Sequence, residues 1–304
     1  MKTDSRLSWW HRLADGRSPH AYALIFWLLS LVLFHAPLIS LVRLSFHDEL
    51  ASHVLLIPLI SAFLIYLERA RIFRSSRCCP FVGVPAVLIA AILWFGLKSH
   101  VASLSPVDRL SVSTALIVLM WVSGFVLIYG IATTRSAVFP LLFLFLMSPL
   151  PIVVTDYLTS VLQKGSADVC YTLFRTVGVP VIRHGFQFSL PGVEIEVAEQ
   201  CSGIHAGLSL LIAGLLAEHF LLQGAWEKFW FTLCIFPIAI FKNAVRIVTI
   251  AWLGIHVNPN FFQGPLHRRG GLPFSLIALA MMALLLWLFR LRTSRTYGPA
   301  RPSA

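Results

Sequence analysis

The chain has 304 residues, of which 58% are hydrophobic and 12% charged, with a mean hydropathy of +0.81 and a formal net charge of +11 at pH 7. A soluble domain carries about 25% charged residues, so a water-facing globule is excluded and the surplus apolar surface needs lipid to cover it. The positive balance does not point to nucleic acid. Basic residues sit in a few short tails and loops, without the aromatic interleaving that grips single strands.

In chain order, the apolar residues fall into about eight blocks of ~17–26 residues, enough for a helix to cross ~30 Å of hydrocarbon at 1.5 Å per residue. The first block, 21–42, is too long for a signal-peptide core and lacks a small-residue cleavage site, so it is expected to remain as a span. Further spans are expected at 51–68, 81–97, 110–131 and 137–155, then at 202–222, 229–254 and 272–290. Only helices fit, because isolated strands would leave backbone groups unpaired in lipid. The expected fold class is an all-α integral membrane protein, one polytopic domain over residues 1–304.

Orientation follows from the basic residues between blocks. The N-terminal tail carries Lys2, Arg6, Arg12 and Arg17; the second loop carries Arg69, Arg71, Arg74 and Arg77; the C-terminal tail carries Arg290, Arg292, Arg295 and Arg301. With an even number of spans these segments share one side, which the positive-inside rule makes cytoplasmic. Both termini are expected inside, and the segment 156–200 outside.

That outer segment opens with an expected amphipathic interfacial helix over 157–177, with Leu158, Leu162, Val169, Leu173 and Phe174 as its apolar set. A β-like passage follows: residues 185–190 alternate, Pro191-Gly192 turn, and Val193, Ile195 and Val197 alternate with Glu194, Glu196 and Ala198. The pattern predicts a short hairpin before the sixth span, leading straight to Glu199-Gln200-Cys201-Ser202-Gly203. The five cysteines (Cys78, Cys79, Cys170, Cys201, Cys234) form no disulfide framework.

Three reactive side chains, far apart in sequence, are expected at the outer face. Cys201 stands at the mouth of the sixth span. Arg246 lies up the seventh span, 17 residues beyond Phe229 and about 26 Å by helical rise, so at similar depth. His267 lies in the loop before the eighth. Cys201 reads either as a small buried hydrophobe or, at a helix start, as a thiol tuned toward the reactive thiolate. Arg246 within a span must face a polar cavity or a partner. It reads as a structural ion pair or snorkelling cation, or as a fixed donor to a developing oxyanion. Lys242 one turn below and Asn243 three residues away make this a polar stripe. His267 reads as an interfacial histidine or a general acid–base; His205, four residues after Cys201, competes with it, and His184 and His256 also lie outside. A Cys/His metal site has no CxxC or HExxH spacing behind it, so neither metal nor cofactor is expected.

These residues resemble the exosortase/archaeosortase family of membrane-embedded, sortase-like enzymes, over most of the chain. Val197-Ala198-Glu199-Gln200-Cys201-Ser202-Gly203-Ile204 is similar to the family's nucleophile motif. Asn243-Ala244-Val245-Arg246-Ile247 is similar to its arginine motif, and His267-Arg268-Arg269-Gly270-Gly271 to its histidine with a glycine four residues on. Ser52-His53-Val54-Leu55-Leu56-Ile57-Pro58 is similar to a further signature. The resemblance implies a cysteine protease or transpeptidase in the bacterial inner membrane with an extracytoplasmic site. Cys201 would be nucleophile, Arg246 oxyanion stabiliser and His267 acid–base, with Glu199, Ser202, Gly203, His205, Asn243 and Gly271 in supporting positions. It implies protein-sorting substrates: exported, membrane-anchored proteins with a C-terminal tripartite signal of the PEP-CTERM kind, comprising a short motif such as Pro-Glu-Pro, one transmembrane helix and a basic cluster. Partners are thus such substrates and the lipid bilayer, with no nucleic acid. The rival from another class is a non-catalytic membrane component of surface polysaccharide assembly or export, which would need no thiol; a transporter binding an anion at Arg246 and Lys242 is another, and an acyltransferase without a covalent enzyme step is a third.

Overall fold

A computed structural model of the chain describes residues 18–75, 78–197, 203–262 and 271–296. It separates into two compact units, Met1–Ile152 and Val153–Ala304. Among the described residues, five helices are long and apolar enough to cross a membrane, or up to seven if each of two bent helix pairs counts as one span. The sequence pattern leads to eight; the differences have local causes.

The first unit contains α1 (Ser18–Leu33), α2 (His35–His47), α3 (Leu56–Leu67), α4 (Arg69–Ile72), α5 (Pro80–Ala102), α6 (Pro106–Ser136) and α7 (Val138–Phe143). The block at 21–42 is not one straight helix: α1 and α2 meet at Phe34 with a 77° bend. Pro37 has no N–H to give to the carbonyl of Leu33, and its ring crowds that carbonyl, so the helix breaks there. The block at 51–68 forms helix only from Leu56, because 51–55 are spent in turns; the resulting 12 residues span about 18 Å, short of the hydrocarbon core. The block at 137–155 stops after Met147, and Pro149 and Pro151 keep the chain non-helical until Ile152.

Where the pattern was simplest the helices are longest. α6 starts at a reciprocal cap: Ser105 Oγ accepts from the Asp108 N–H at 3.1 Å and donates to Asp108 Oδ2 at 2.8 Å. It bends at Gly130, whose φ of 82° leaves the helical region. α5 and α6 approach so closely that a Cβ on Gly83 would fall 2.3 Å from Leu127 Cα. α1 lies on α6 through stacked Trp27 and Trp121, and Trp121 Nε1 donates to Ser30 Oγ at 2.8 Å.

The second unit contains α8 (Ile152–Thr176), strands β1 (Ile182–His184), β2 (Gln187–Leu190) and β3 (Val193–Glu196), then α9 (Ile204–Leu221), α10 (Ala225–His256) and α11 (Gly271–Thr296). The expected hairpin is β2–β3, in register Leu190 opposite Val193 and Phe188 opposite Ile195; β1 adds a third antiparallel strand. The helix expected over 157–177 is present as α8, but its apolar set turns inward. Leu162 is buried, and Phe174 is buried with Ala167 and Cys170 in one core with Phe188, Leu190 and Val197 from the sheet side and Ala244, Val248 and Ala251 from α10. Alternation along β2 puts Phe188 and Leu190 into that core, where Phe188 meets the Phe174 ring at 5.9 Å.

α9 and α10 form a helical hairpin closed at its base by Thr232 Oγ1 donating to Glu218 Oε2 at 2.7 Å. α11 completes a three-helix core in which Leu210, Ile235, Ile238, Ala239, Ala278 and Met282 are buried together. This core holds α10 against α9 along its length, which sets the height of the polar residues farther along α10.

Candidate active site

The polar stripe lies on α10. Lys242 and Asn243 are buried, at 3% and 1% exposure, and Arg246 one turn on from Lys242 is half-buried. A lysine and an arginine four residues apart on one helix repel, and in a span each is costly away from a polar setting. Asn243 is locked: its Nδ2 donates to Ser166 Oγ of α8 at 3.0 Å, and Ser166 is fully buried. Cys170, one turn on from Ser166, contacts the Ala244 carbonyl through its thiol at 3.7 Å. α8 therefore fixes the rotation of α10 at the stripe.

The start of α9 meets the same asparagine. Gly203 is the N-cap of α9, with φ 79° and ψ 14°, a left-handed conformation that suits glycine. A Cβ there would lie 3.2 Å from Asn243 Cγ and 3.3 Å from Oδ1, so the backbone at Gly203 rests directly on that side chain. The first helical bond runs from the Gly207 N–H to the Gly203 carbonyl at 2.8 Å. On the other side of the motif, Val197 is held twice. Its N–H donates to the Phe186 carbonyl at 3.0 Å, and its own carbonyl accepts from Gln163 Nε2 of α8 at 2.6 Å. The chain is thus anchored on α8 at Val197 and rests on α10 at Gly203.

Of the expected site residues, Gly203 and Asn243 are brought together, and Arg246 follows Asn243 by three residues on α10. Cys201, Glu199, Ser202 and His267 lie outside the described residues. Gly271 is the first residue of α11. His205 is exposed on α9. His205 is the second residue of α9, which begins at Ile204. His184 is exposed on β1, and His256 is exposed at the end of α10, stacked on Trp252. Glu196 is exposed at the end of β3. The signature at 52–58 leads into α3, with Val54 and Ile57 fully buried.

Gln163 and Ser166 were not singled out in the sequence. A signal was there: two uncharged polar residues sit inside the stripe Leu162, Ala167, Cys170, Phe174 that forms the buried face of α8. Among the described residues no group of three His, Cys, Asp or Glu side chains is arranged to hold a metal ion.

Long apolar helices, one carrying a buried lysine and a half-buried arginine, and a small sheet packed on two of the helices define a polytopic α-helical membrane protein. The chain belongs to the transmembrane exosortase family, whose description, "Transmembrane exosortase", matches residues 43–287. All four motifs quoted above fall within that range. No curated protein and no solved structure matches the chain.

Proposed function

We propose that this exosortase is a membrane cysteine protease/transpeptidase that cuts the C-terminal tripartite sorting signal of exported proteins through a Cys201 thioester. The observation that carries the reading is the seat of Gly203 on Asn243, three residues and about 4.5 Å of helical rise below Arg246. Cys201 is two residues before Gly203, a covalent reach of about 7 Å at most. It also precedes the N-terminus of α9, where the unpaired amides and the helix dipole favour a thiolate.

In the first stage the Cys201 thiolate attacks the scissile carbonyl carbon, and the carbonyl oxygen becomes an oxyanion. Arg246 donates to it, and Lys242 adds a second positive charge one turn away. His267, as imidazolium, gives its proton to the leaving nitrogen as the C–N bond breaks, leaving a thioester. In the second stage an acceptor amine or hydroxyl, or water, attacks the thioester. His267 takes the incoming proton, and the sulfur departs as thiolate.

The proposed topology suits the substrate. Basic residues at 69–77 and 290–301 support cytoplasmic termini in the bacterial inner membrane, with the site on the extracytoplasmic face. A substrate helix with its basic cluster inside would then present the short motif outside.

The test is co-expression of a tripartite-signal substrate with wild type or Cys201→Ala, with enzyme levels checked by blot. Loss of processing in the variant supports the thioester route. Processing at the wild-type rate removes Cys201 as nucleophile and favours a non-catalytic component of polysaccharide assembly or export.

A further inference from the structure

The first unit carries a cavity of about 670 Å³ between α2, α5 and α6, within the 300–1,000 Å³ of small-molecule pockets. The chemistry proposed above makes no use of it. Its walls are apolar, with Pro37, Leu44, Trp94, Val107, Leu110 and Leu116 among the lining residues. Along α2 the lining runs from Ala36 to His47, a rise of about 16 Å, and along α6 from Pro106 to Leu116, about 15 Å. Both lengths equal one leaflet, half of a ~30 Å hydrocarbon core. Trp94, with its ring edge-on to Phe34 at 4.6 Å, lies toward the deep end.

The charges are gathered toward the other end. Arg43 and His47 come from the last turns of α2 and Arg109 from the first turn of α6. Arg109 is held in place, since its Nη2 donates to the carbonyls of Ala102 at 2.8 Å and Leu104 at 3.3 Å. The His47 ring is fixed by its Nδ1 against the Arg43 carbonyl at 2.7 Å. The two neighbouring carboxylates among the described side chains are hydrogen-bonded elsewhere. Asp108 accepts from Ser105 Oγ and from the Ile152 N–H, each at 2.8 Å, and Asp48 accepts from the Leu50 N–H at 2.9 Å. Among the described residues neither Arg43 nor Arg109 is in an ion pair.

We propose that this groove binds one glycerophospholipid with an anionic headgroup, an acyl chain lying along α2 and α6 and the phosphate between Arg43 and Arg109. Two exposed guanidiniums line the groove and no carboxylate is among its described lining residues, which matches a headgroup of net negative charge. A choline headgroup would bring an ammonium for which the described lining residues hold no carboxylate. The apolar depth of one leaflet accounts for the chain, and the rim for the phosphate.

The test is native mass spectrometry of the purified full-length chain, titrated with phosphatidylglycerol and with phosphatidylcholine of the same chain length, and with glycerol 3-phosphate as a chain-free headgroup probe. Wild type is expected to favour phosphatidylglycerol by about fivefold for each arginine engaged. Arg43→Ala with Arg109→Ala should bind the two lipids equally, while Arg43→Lys with Arg109→Lys keeps most of the preference. Ser113→Trp fills the groove, leaves both arginines in place and should weaken both lipids. Equal binding by wild type, or a preference that survives the double alanine variant, overturns the proposal. So does undiminished binding to Ser113→Trp, or competition by glycerol 3-phosphate as effective as by the lipid.

Discussion

Gly203→Ala is the perturbation whose consequence can be worked most directly from the structure. At φ 79° the residue is left-handed, and an L side chain there costs roughly 1–2 kcal/mol. The added Cβ would also stand 3.2 Å from Asn243 Cγ, tighter than ordinary van der Waals contact, and Asn243 is tied to Ser166 at 3.0 Å and cannot move freely. The chain relieves both strains by lifting the start of α9 from α10, which displaces the residues just before it. A cost of about 1–2 kcal/mol lowers the equilibrium constant for the seated arrangement roughly 5- to 30-fold, and substrate processing should fall by up to that factor. The assay is pulse-chase of a co-expressed tripartite-signal substrate, with thermal unfolding of the purified enzyme beside it. Gly207→Ala is the control on the same helix: its Cβ would meet Ala239 Cβ at 3.8 Å, an ordinary contact, and rate and Tm should match wild type. If Gly203→Ala processes at the wild-type rate, the seat on Asn243 does not position the nucleophile and the geometric argument fails.

Three further outcomes test separate parts of the reasoning. Gln163→Leu removes the donor to the Val197 carbonyl, which is buried and held at 2.6 Å; about 1–3 kcal/mol is lost, and Tm and processing should fall together. An unchanged Tm would mean that this anchor contributes nothing to the fold. Arg246→Lys keeps the charge but loses the planar fork, so processing should drop by roughly 10²–10³ if aligned donation matters; near-wild-type processing would reduce Arg246 to a point charge. Gly83→Val forces α5 from α6, because a Cβ already falls 2.3 Å from Leu127 Cα. At roughly 1–3 kcal/mol of overpacking it should lower Tm and yield in size-exclusion chromatography, and normal stability would contradict the close approach.

The parts of the fold legible in the sequence are those where one physical rule acts alone. Uninterrupted apolar length gave α5, α6, α9, α10 and α11 close to their expected bounds, and period-two alternation gave the β2–β3 hairpin. The departures from straight helices fall where two rules compete. Apolarity leads to unbroken spans at 21–42 and 137–155, where the helices are bent by 77° and 93°. The breaks lie beside Pro37, Pro149 and Pro151, each of which lacks an N–H for the helix ladder, whereas Pro85 and Pro237 sit inside α5 and α10 without ending them. Hydropathy alone likewise extended the second span back to Ala51, where turns hold the chain.

α8 shows why its partners were harder to see. An amphipathic stripe gives the side of a helix that must be covered, not what covers it. Read alone, the set from Leu158 to Phe174 suits a membrane surface as well as a protein core. What separates the two is the pair Gln163 and Ser166 inside the buried face, 7% and 0% exposed. Uncharged polar groups in a dry core are tolerated when each has a partner. Here one holds the Val197 carbonyl and the other the Asn243 amide, the residues flanking the cysteine motif on one side and the arginine on the other. The polar atoms of α8 are therefore spent on positioning two motifs far apart in sequence. A mutation of Gln163 or Ser166 should consequently resemble a mutation of the site more than a mutation of the core.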